Sequence, residues 1–225
     1  MSEMFYKLWE NGIILRGIWE TVYMTFISSA FAYLIGLPLG VILNITDEGG
    51  IYPIPWLNRV LGFIVNFFRS IPFIILMVSM LPVAKFIVGT ELGNKAVIVM
   101  LVIAAAPYVA RMVESSLKEV SSGVIEAAQS MGADNFRIIT KVLLPEAKPS
   151  LINGAAISIV TILGYSAMSA TLAGTGLGQI AIIYGHQRSN LDITWLCVFL
   201  TVIIVQIIQI VGTDIARKTD KRINK

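Results

Sequence analysis

The sequence predicts an all-α integral membrane protein: five transmembrane helices, with a helix-bearing cytoplasmic segment between spans three and four. Three observations carry that prediction. Of the 225 residues, 56% are hydrophobic and only 14% charged, with a mean hydropathy of +0.79; a soluble domain carries about 25% charged residues, so a water-soluble enzyme and a disordered linker are both excluded. Long stretches contain no charge at all. The Lys and Arg residues cluster on one set of connecting segments.

A helix needs about 20 apolar residues to cross about 30 Å of hydrocarbon. Span one, about 21–45, is read from Thr21–Ile45, which carries no charge. It contains Gly36-x-Pro38-x-Gly40, either a dimer face of the small-xxx-small type or a local bend at Pro38. Span two, about 60–81, lies in the apolar stretch Leu57–Val88, interrupted by Arg69, Pro72 and Pro82. Pro72 removes a backbone donor and should kink one helix just beyond Arg69. Span three, about 96–114, continues from Ala96–Ala110 into Arg111, with Pro107 near its end. Spans four, about 151–173, and five, about 193–215, are uncharged over Leu151–Ala173 and Ile193–Gly212. Five spans of about 22 residues occupy about half the chain, which is read as a single domain, 1–225.

Five crossings place the termini on opposite sides. One side then holds Lys7, Arg16, Lys85, Lys95 and Arg188; the other holds Arg59, Arg111, Lys118, Arg137, Lys141, Lys148, Arg217, Lys218, Lys221, Arg222 and Lys225. The richer side is cytoplasmic, giving an outside N-terminus and an inside C-terminus. Trp9, Trp19, Trp56 and Trp195 flank spans at interfacial depth. Glu3, Glu10 and Glu20 argue against a cleavable signal peptide. A single cysteine, Cys197, and a single histidine, His186, allow neither an internal disulfide nor a Cys/His metal framework.

The longest polar segment, about 115–149, separates spans three and four. Ser121 or Ser122 can cap a helix that sets Glu126 near its positive end. Ala127, Ala128, Ser130 and Met131 continue it, and Gly132 ends or bends it. A second helical stretch follows over Asn135–Leu144, broken by Pro145. Polar segments of this length tend to be functional; the plainest reading of this one is an amphipathic helix lying on the membrane.

Glu126-Ala127-Ala128, three residues, Gly132, nine residues, then Val142-x-Leu144-Pro145 resembles the EAA signature of ABC-importer permease subunits, which favours isoleucine where Val142 stands. The resemblance implies a coupling helix that docks on a cytoplasmic ATPase through Glu126, Ala127, Ala128, Gly132, Leu144 and Pro145. Small alanines permit close backbone approach, and Gly132 turns the chain away from the docking surface. Phe68-Arg69-Ser70-Ile71-Pro72-Phe73, Ala110-Arg111-Met112-Val113-Glu114 and Gly164-Tyr165-Ser166-Ala167-Met168-Ser169 through Gly174-Thr175-Gly176-Leu177-Gly178-Gln179 resemble the permeases of bacterial methionine importers over about residues 17–186. The departures are Thr175, where that family more often has glycine, and His186–Asn190. The resemblance implies a homodimer, two copies of a cytoplasmic ABC ATPase holding ATP and Mg, an extracytoplasmic substrate-binding (lipo)protein, and methionine of either enantiomer as cargo. Another small amino acid or related metabolite is the alternative cargo. The bacterial inner membrane is the implied location, with membrane lipid around the chain and no nucleic-acid partner.

Further residues stand out within this frame. A charge at the bilayer centre costs about 2.5–3.5 kcal/mol, so Arg69 either lines a pathway or braces helices, or else snorkels to the cytoplasmic face. The resemblance places Tyr165, Ser166 and Met168 on the translocation pathway; an ordinary packing role for Met168 is the alternative. Arg111 and Glu114, three apart, can pair on one helix face, and a surface pair contributes about 0–1 kcal/mol. Gln206 and Gln209 should face protein rather than lipid. His186 is assigned no role. No G-x-x-x-x-G-K-[ST] phosphate loop, nucleophile–base pair or carboxylate dyad occurs, so ATP hydrolysis is expected on a separate subunit. A secondary transporter is disfavoured because the spans hold no Asp or Glu at their cores; a membrane enzyme lacks a catalytic constellation.

Overall fold

The computed structural model describes residues 3–220 apart from Ala173, and their side chains apart from those of residues 3–5, 7, 169 and 171. Lys221, Arg222 and Lys225, used above for orientation, and the side chains of Glu3, Lys7, Ser169 and Thr171 lie outside the described residues. Among the described residues every regular element is helical. In chain order they are α1 (Glu3–Glu10), α2 (Ile13–Ile45), α3 (Pro55–Ser70), α4 (Phe73–Ser79), α5 (Leu81–Val88), α6 (Asn94–Lys118), α7 (Ser122–Ser130) and α8 (Asn135–Arg137). A π-helical stretch, Ile138–Leu143, leads into α9 (Leu144–Glu146) and α10 (Lys148–Ser166). Then come a 3₁₀ stretch (Ala167–Leu172), α11 (Leu177–Gln179), a second π stretch (Ile180–His186) and α12 (Leu191–Thr219).

Among the described residues four helices, α2, α6, α10 and α12, are long and apolar enough to cross a membrane, and the count rises to five if α3 and α4 together form one span. That pair is where the expectation of a single kinked helix fails. The chain turns by 102° between α3 and α4. Pro72 occupies the N-cap of α4 with φ −55° and ψ 135°, and a residue preceding proline, here Ile71, is pushed out of the α region. Two consecutive residues therefore leave helical geometry, and a break results where a kink was expected. The α-helical part of the fourth expected span ends at Ser166 and tightens into the 3₁₀ stretch, so Met168 stands beyond the α-helix.

The chain divides into two compact units. The first comprises the chain up to Phe31, Ile71–Ala105 and Ile159–Gln209. One buried apolar cluster in it is built from Leu8, Ile14, Leu177, Ile180, Ile193 and Cys197. Hydrogen bonds tie its glycine-rich segment to two helices. Thr175 donates its backbone N–H to Asn94 Oδ1 at 2.7 Å and accepts Asn94 Nδ2–H at 2.6 Å. Thr21 Oγ1 accepts the Leu177 N–H at 2.9 Å while donating to the Gly17 carbonyl. Gly176 lies at φ +123°, and a Cβ there would come within 2.8 Å of Thr21 Oγ1. Thr175, a departure from the family pattern, is thus held in place by Asn94.

The second unit comprises Ala32–Ser70, Ala106–Ser158 and the chain from Ile210. Leu43, Val65 and Ala110 form one buried apolar cluster in it, with Leu39 and Leu61 packed against them. Gly36 and Gly40 lie against α6: a Cβ at Gly36 would sit 2.7 Å from Val109 Cγ1, and one at Gly40 would sit 2.5 Å from the Ala110 carbonyl oxygen. The small-residue face is therefore consumed within the chain, and a dimer face there is corrected to an α2–α6 contact. Gly212 does the same for α12 against Ala156.

Outward faces are apolar, as a hydrocarbon surround requires. Trp9, Trp19, Trp56 and Trp195 are all exposed. Gln206 and Gln209 are exposed too, on a helix that buries only 11% of its most apolar window within the chain, so burial against protein is not seen for them among the described residues.

Candidate functional site

The polar segment between α6 and α10 is folded throughout. Ser121 stands at the N-cap position of α7, but its side chain makes no capping bond. Glu126 follows beyond the first turn, away from the positive end that the sequence suggested for it. The other end of α7 is closed by a Schellman arrangement. The Gly132 N–H donates to the Gln129 carbonyl at 2.9 Å and the Ala133 N–H to the Ala128 carbonyl at 3.1 Å. Gly132 takes φ +78°, a left-handed conformation that favours glycine.

Asp134 then caps α8, its carboxylate accepting the Arg137 N–H at 2.7 Å. Pro145 does not break this second stretch. It sits in the first turn of α9, where the missing N–H is tolerated, and the interruption falls at Ala147. The wide turn of the preceding π stretch accompanies that placement, and such turns are common at functional positions.

The surface so formed is mixed. Glu126, Ala127, Gly132 and Pro145 are exposed, Leu144 is half-buried and Ala128 is buried. Sequence reading missed two residues here: Met131 is 81% exposed and Phe136 is 75% exposed, large apolar groups standing out of a polar segment. A phenylalanine among charged residues was the available signal. Beside α7 opens a cleft of about 580 Å³, lined by Asp47, Lys118, Ser122, Glu126 and Gln129 among others.

Behind the cleft lies a charge network larger than the expected surface pair. The Arg111 guanidinium binds the Glu114 carboxylate, whose other oxygen accepts Lys118 Nζ at 2.9 Å. Lys118 also bonds Asp47 Oδ2 at 2.8 Å, and Arg111 reaches Asn66 Oδ1 at 3.1 Å. Glu114 is only 5% exposed, so removal of its partners strands a desolvated charge, a heavier penalty than any surface pair carries. The Lys118 ammonium beside Asp47 holds that carboxyl below its ordinary value. The network links α6, α3 and the loop after α2.

Arg69 occupies the last turn of α3, exposed, with no ion pair or side-chain hydrogen bond among the described residues. Among the described residues no bond from it braces helices. In the other unit, Ser166 is buried and donates its hydroxyl to the Leu163 carbonyl at 2.7 Å. Met168 is 43% exposed. Tyr165 is half-buried, its ring stacked on Phe73 with centroids 4.6 Å apart and planes at 8°. The sequence suggested no partner for Tyr165. Among the described residues no group of three or more His, Cys, Asp or Glu could hold a metal ion.

Known proteins share this architecture. A permease of Vibrio cholerae, the "Probable D-methionine transport system permease protein MetI", is 48% identical over 212 residues, 94% of this chain and 94% of that protein. The D-methionine transport system permease protein MetI of Escherichia coli K12 is 53% identical over 156 residues, covering 69% and 72% of the two chains. A solved chain of the MetNI methionine ABC transporter, in inward-facing conformations, superimposes with a TM-score of 0.93 at 47% identity, covering 98% of this chain and all of that one. An amino acid ABC transporter solved with histidines has the same fold at 16% identity, with a TM-score of 0.79 and coverage of 97% and 99%. The model of the family described as "Binding-protein-dependent transport system inner membrane component" matches residues 36–225, and with relatives this close the chain belongs to that family of multi-pass inner-membrane permeases.

Proposed function

We propose that this chain is the permease subunit of an ATP-driven methionine importer. Two copies enclose the pathway, and methionine of either enantiomer arrives from an extracytoplasmic binding protein. Each copy docks a cytoplasmic ATPase on residues 121–145, where ATP and Mg are held by the partner and hydrolysis takes place. One observation carries the coupling role: α7 ends in a glycine turn that leaves Met131 and Phe136 standing out of an otherwise polar segment. Burying two such side chains at an interface is worth about 1.5–3 kcal/mol each before ordering costs, enough to hold a lever. Glu126, Ala127, Ala128 and Gly132 form that lever, with Leu144 and Pro145 closing its far end.

Motion of the docked segment passes to α6 through Lys118 and Glu114, and on to α3 through Arg111 and Asn66. Nucleotide-driven closure then tilts packed helices as rigid pieces. Tyr165 and Met168 line the pathway, and Ser166 fixes the helix end between them; Arg69 is assigned a pathway role of its own. The chain crosses the membrane five times, over about 21–45, 60–81, 96–114, 151–173 and 193–215, with α3 and α4 serving as the second crossing and the N-terminus outside.

The test is reconstitution of the chain with its ATPase and binding protein in proteoliposomes, with radiolabelled L- and D-methionine competed against other amino acids. Uptake that needs ATP inside and the binding protein outside is expected, and Glu126→Lys should uncouple hydrolysis while insertion stays normal. Uphill accumulation by the chain alone overturns the proposal, and efficient competition by unrelated amino acids overturns methionine as cargo.

A further inference from the structure

Phe73 is the first residue of α4, directly after the break at Ile71–Pro72, and Tyr165 is the last but one residue of α10, directly before the helix tightens into the 3₁₀ stretch. Two irregular points of the same unit therefore meet through one pair of rings, 4.6 Å apart and nearly parallel at 8°. Phe73 is itself immobilised. It is 8% exposed, and Leu76 and Met77, on the same face of α4, are buried. On the other side, the adjacent Ser166 hydroxyl is tied to the Leu163 carbonyl. Tyr165 is only half-buried, so Phe73 takes one region of its ring and part of it stays accessible, three residues before the exposed Met168.

We infer that Phe73 is a positioning residue for transport: its ring holds the Tyr165 ring at one setting, so that Tyr165 and Met168 present a defined apolar, sulfur- and ring-bearing surface to the cargo. This rests on the reading of Tyr165 and Met168 as pathway residues. The physical case is the geometry of the pair. Two rings at this separation gain about 0.5–1.5 kcal/mol beyond the area they bury, and that gain vanishes when either ring is replaced by an aliphatic group of similar bulk. A thioether meeting a ring held in this way makes a favourable sulfur–aromatic contact, so loss of the setting removes a contact that a methionine side chain can use and an unbranched hydrocarbon side chain cannot.

The experiment uses the complete importer in proteoliposomes, reading ATP hydrolysed per methionine imported, with the yield of assembled complex as the control for folding. Phe73→Leu, which keeps bulk and apolar character, is expected to raise that ratio by about 2- to 10-fold, the stacking gain expressed as a rate factor. Phe73→Tyr, which keeps the ring, restores it. Tyr165→Leu raises the ratio as well, and the double variant is no worse than the more affected single. If Phe73→Leu matches wild type while Tyr165→Leu and Met168→Ala do not, the positioning role is overturned and the pathway reading stands. If all three match wild type, the pathway reading fails and the positioning role falls with it. A ratio unchanged in Phe73→Leu together with a reduced complex yield assigns the ring to packing alone and also overturns the proposal.

Discussion

Replacement of Gly132 by alanine isolates one energetic quantity at the coupling segment. The residue sits at φ +78°, and an ideal Cβ built there meets no atom within 4 Å. Steric crowding therefore contributes nothing, and the whole penalty is dihedral: about 1–2 kcal/mol for an L-residue held left-handed. That corresponds to about a 5- to 30-fold shift toward chain paths that leave this conformation. Each such path gives up the two bonds that close α7, from Gly132 to Gln129 and from Ala133 to Ala128. Met131 and Phe136 flank the turn, so their relative placement, and with it the docking surface, is lost in the same step. Two measurements follow: hydrogen exchange at residues 131–133 in the assembled importer, and import per ATP hydrolysed. Gly132→Ala should speed exchange and lower import per ATP, while Gly132→Asn should lie between it and wild type, because Asn visits the left-handed region more readily than other non-glycine residues. Gly132→Asp, which adds a charge to the same turn, should uncouple while insertion remains normal. Wild-type exchange and coupling in Gly132→Ala would refute the reasoning. An Asn variant as impaired as the Ala variant would show that side-chain size at the docking face governs, not the backbone.

Gly40→Ala should lower the unfolding midpoint of the solubilised chain, since its Cβ would fall 2.5 Å from the Ala110 carbonyl oxygen and 2.6 Å from Val113 Cβ, an overpacking of about 1–3 kcal/mol or more; a midpoint equal to wild type with loss of dimer cross-linking would reinstate the dimer-face reading. Asp47, held below its ordinary value of 3.8 chiefly by its bond to Lys118, contributes stability that is complete above that value and is lost as pH falls through the lowered folded value. Asp47→Asn should therefore flatten the acid limb of a melting-temperature profile and leave its neutral region with only a uniform offset. Met168→Ala should raise ATP hydrolysis that delivers no cargo; unchanged basal hydrolysis counts against a gating role. Arg69→Met should impair transport with assembly intact, and normal values of both would reduce Arg69 to an interfacial anchor.

How much of this was legible depended on how local each determinant is. The four helices long and apolar enough to cross a membrane follow from uninterrupted apolar composition, which no tertiary contact needs to supplement. The glycine turn at Gly132 was legible for the same reason, since a helix end is decided within a few residues. Prolines were harder, because their effect depends on position in the turn. Pro72 was underestimated, as it also displaces Ile71; Pro145 was overestimated, as the first turn of α9 has no use for its N–H. The spacing of Arg111 and Glu114 announced a pair, yet Asp47 and Asn66 join it from other elements, and nothing in a helical repeat points to them. The small-residue spacing of Gly36 and Gly40 states that something approaches closely; it cannot say whether that neighbour is α6 or a second copy.

Both units combine close glycine contacts with directional hydrogen bonds. In the unit containing α7, glycines bring backbones together: Gly36 and Gly40 against α6, and Gly212 against Ala156. Directional bonds accompany them, with Asn58 Nδ2 donating to the Leu43 carbonyl at 2.7 Å and the charge network around Glu114 joining α6 to α3. In the other unit the 174–179 segment is tied by short bonds from Asn94 and Thr21 to backbone groups, and Gly178 and Gly185 lie close against Ala167 and Thr194. Glycines set how near two segments come and hydrogen bonds fix their register, so neither kind of contact positions a segment alone.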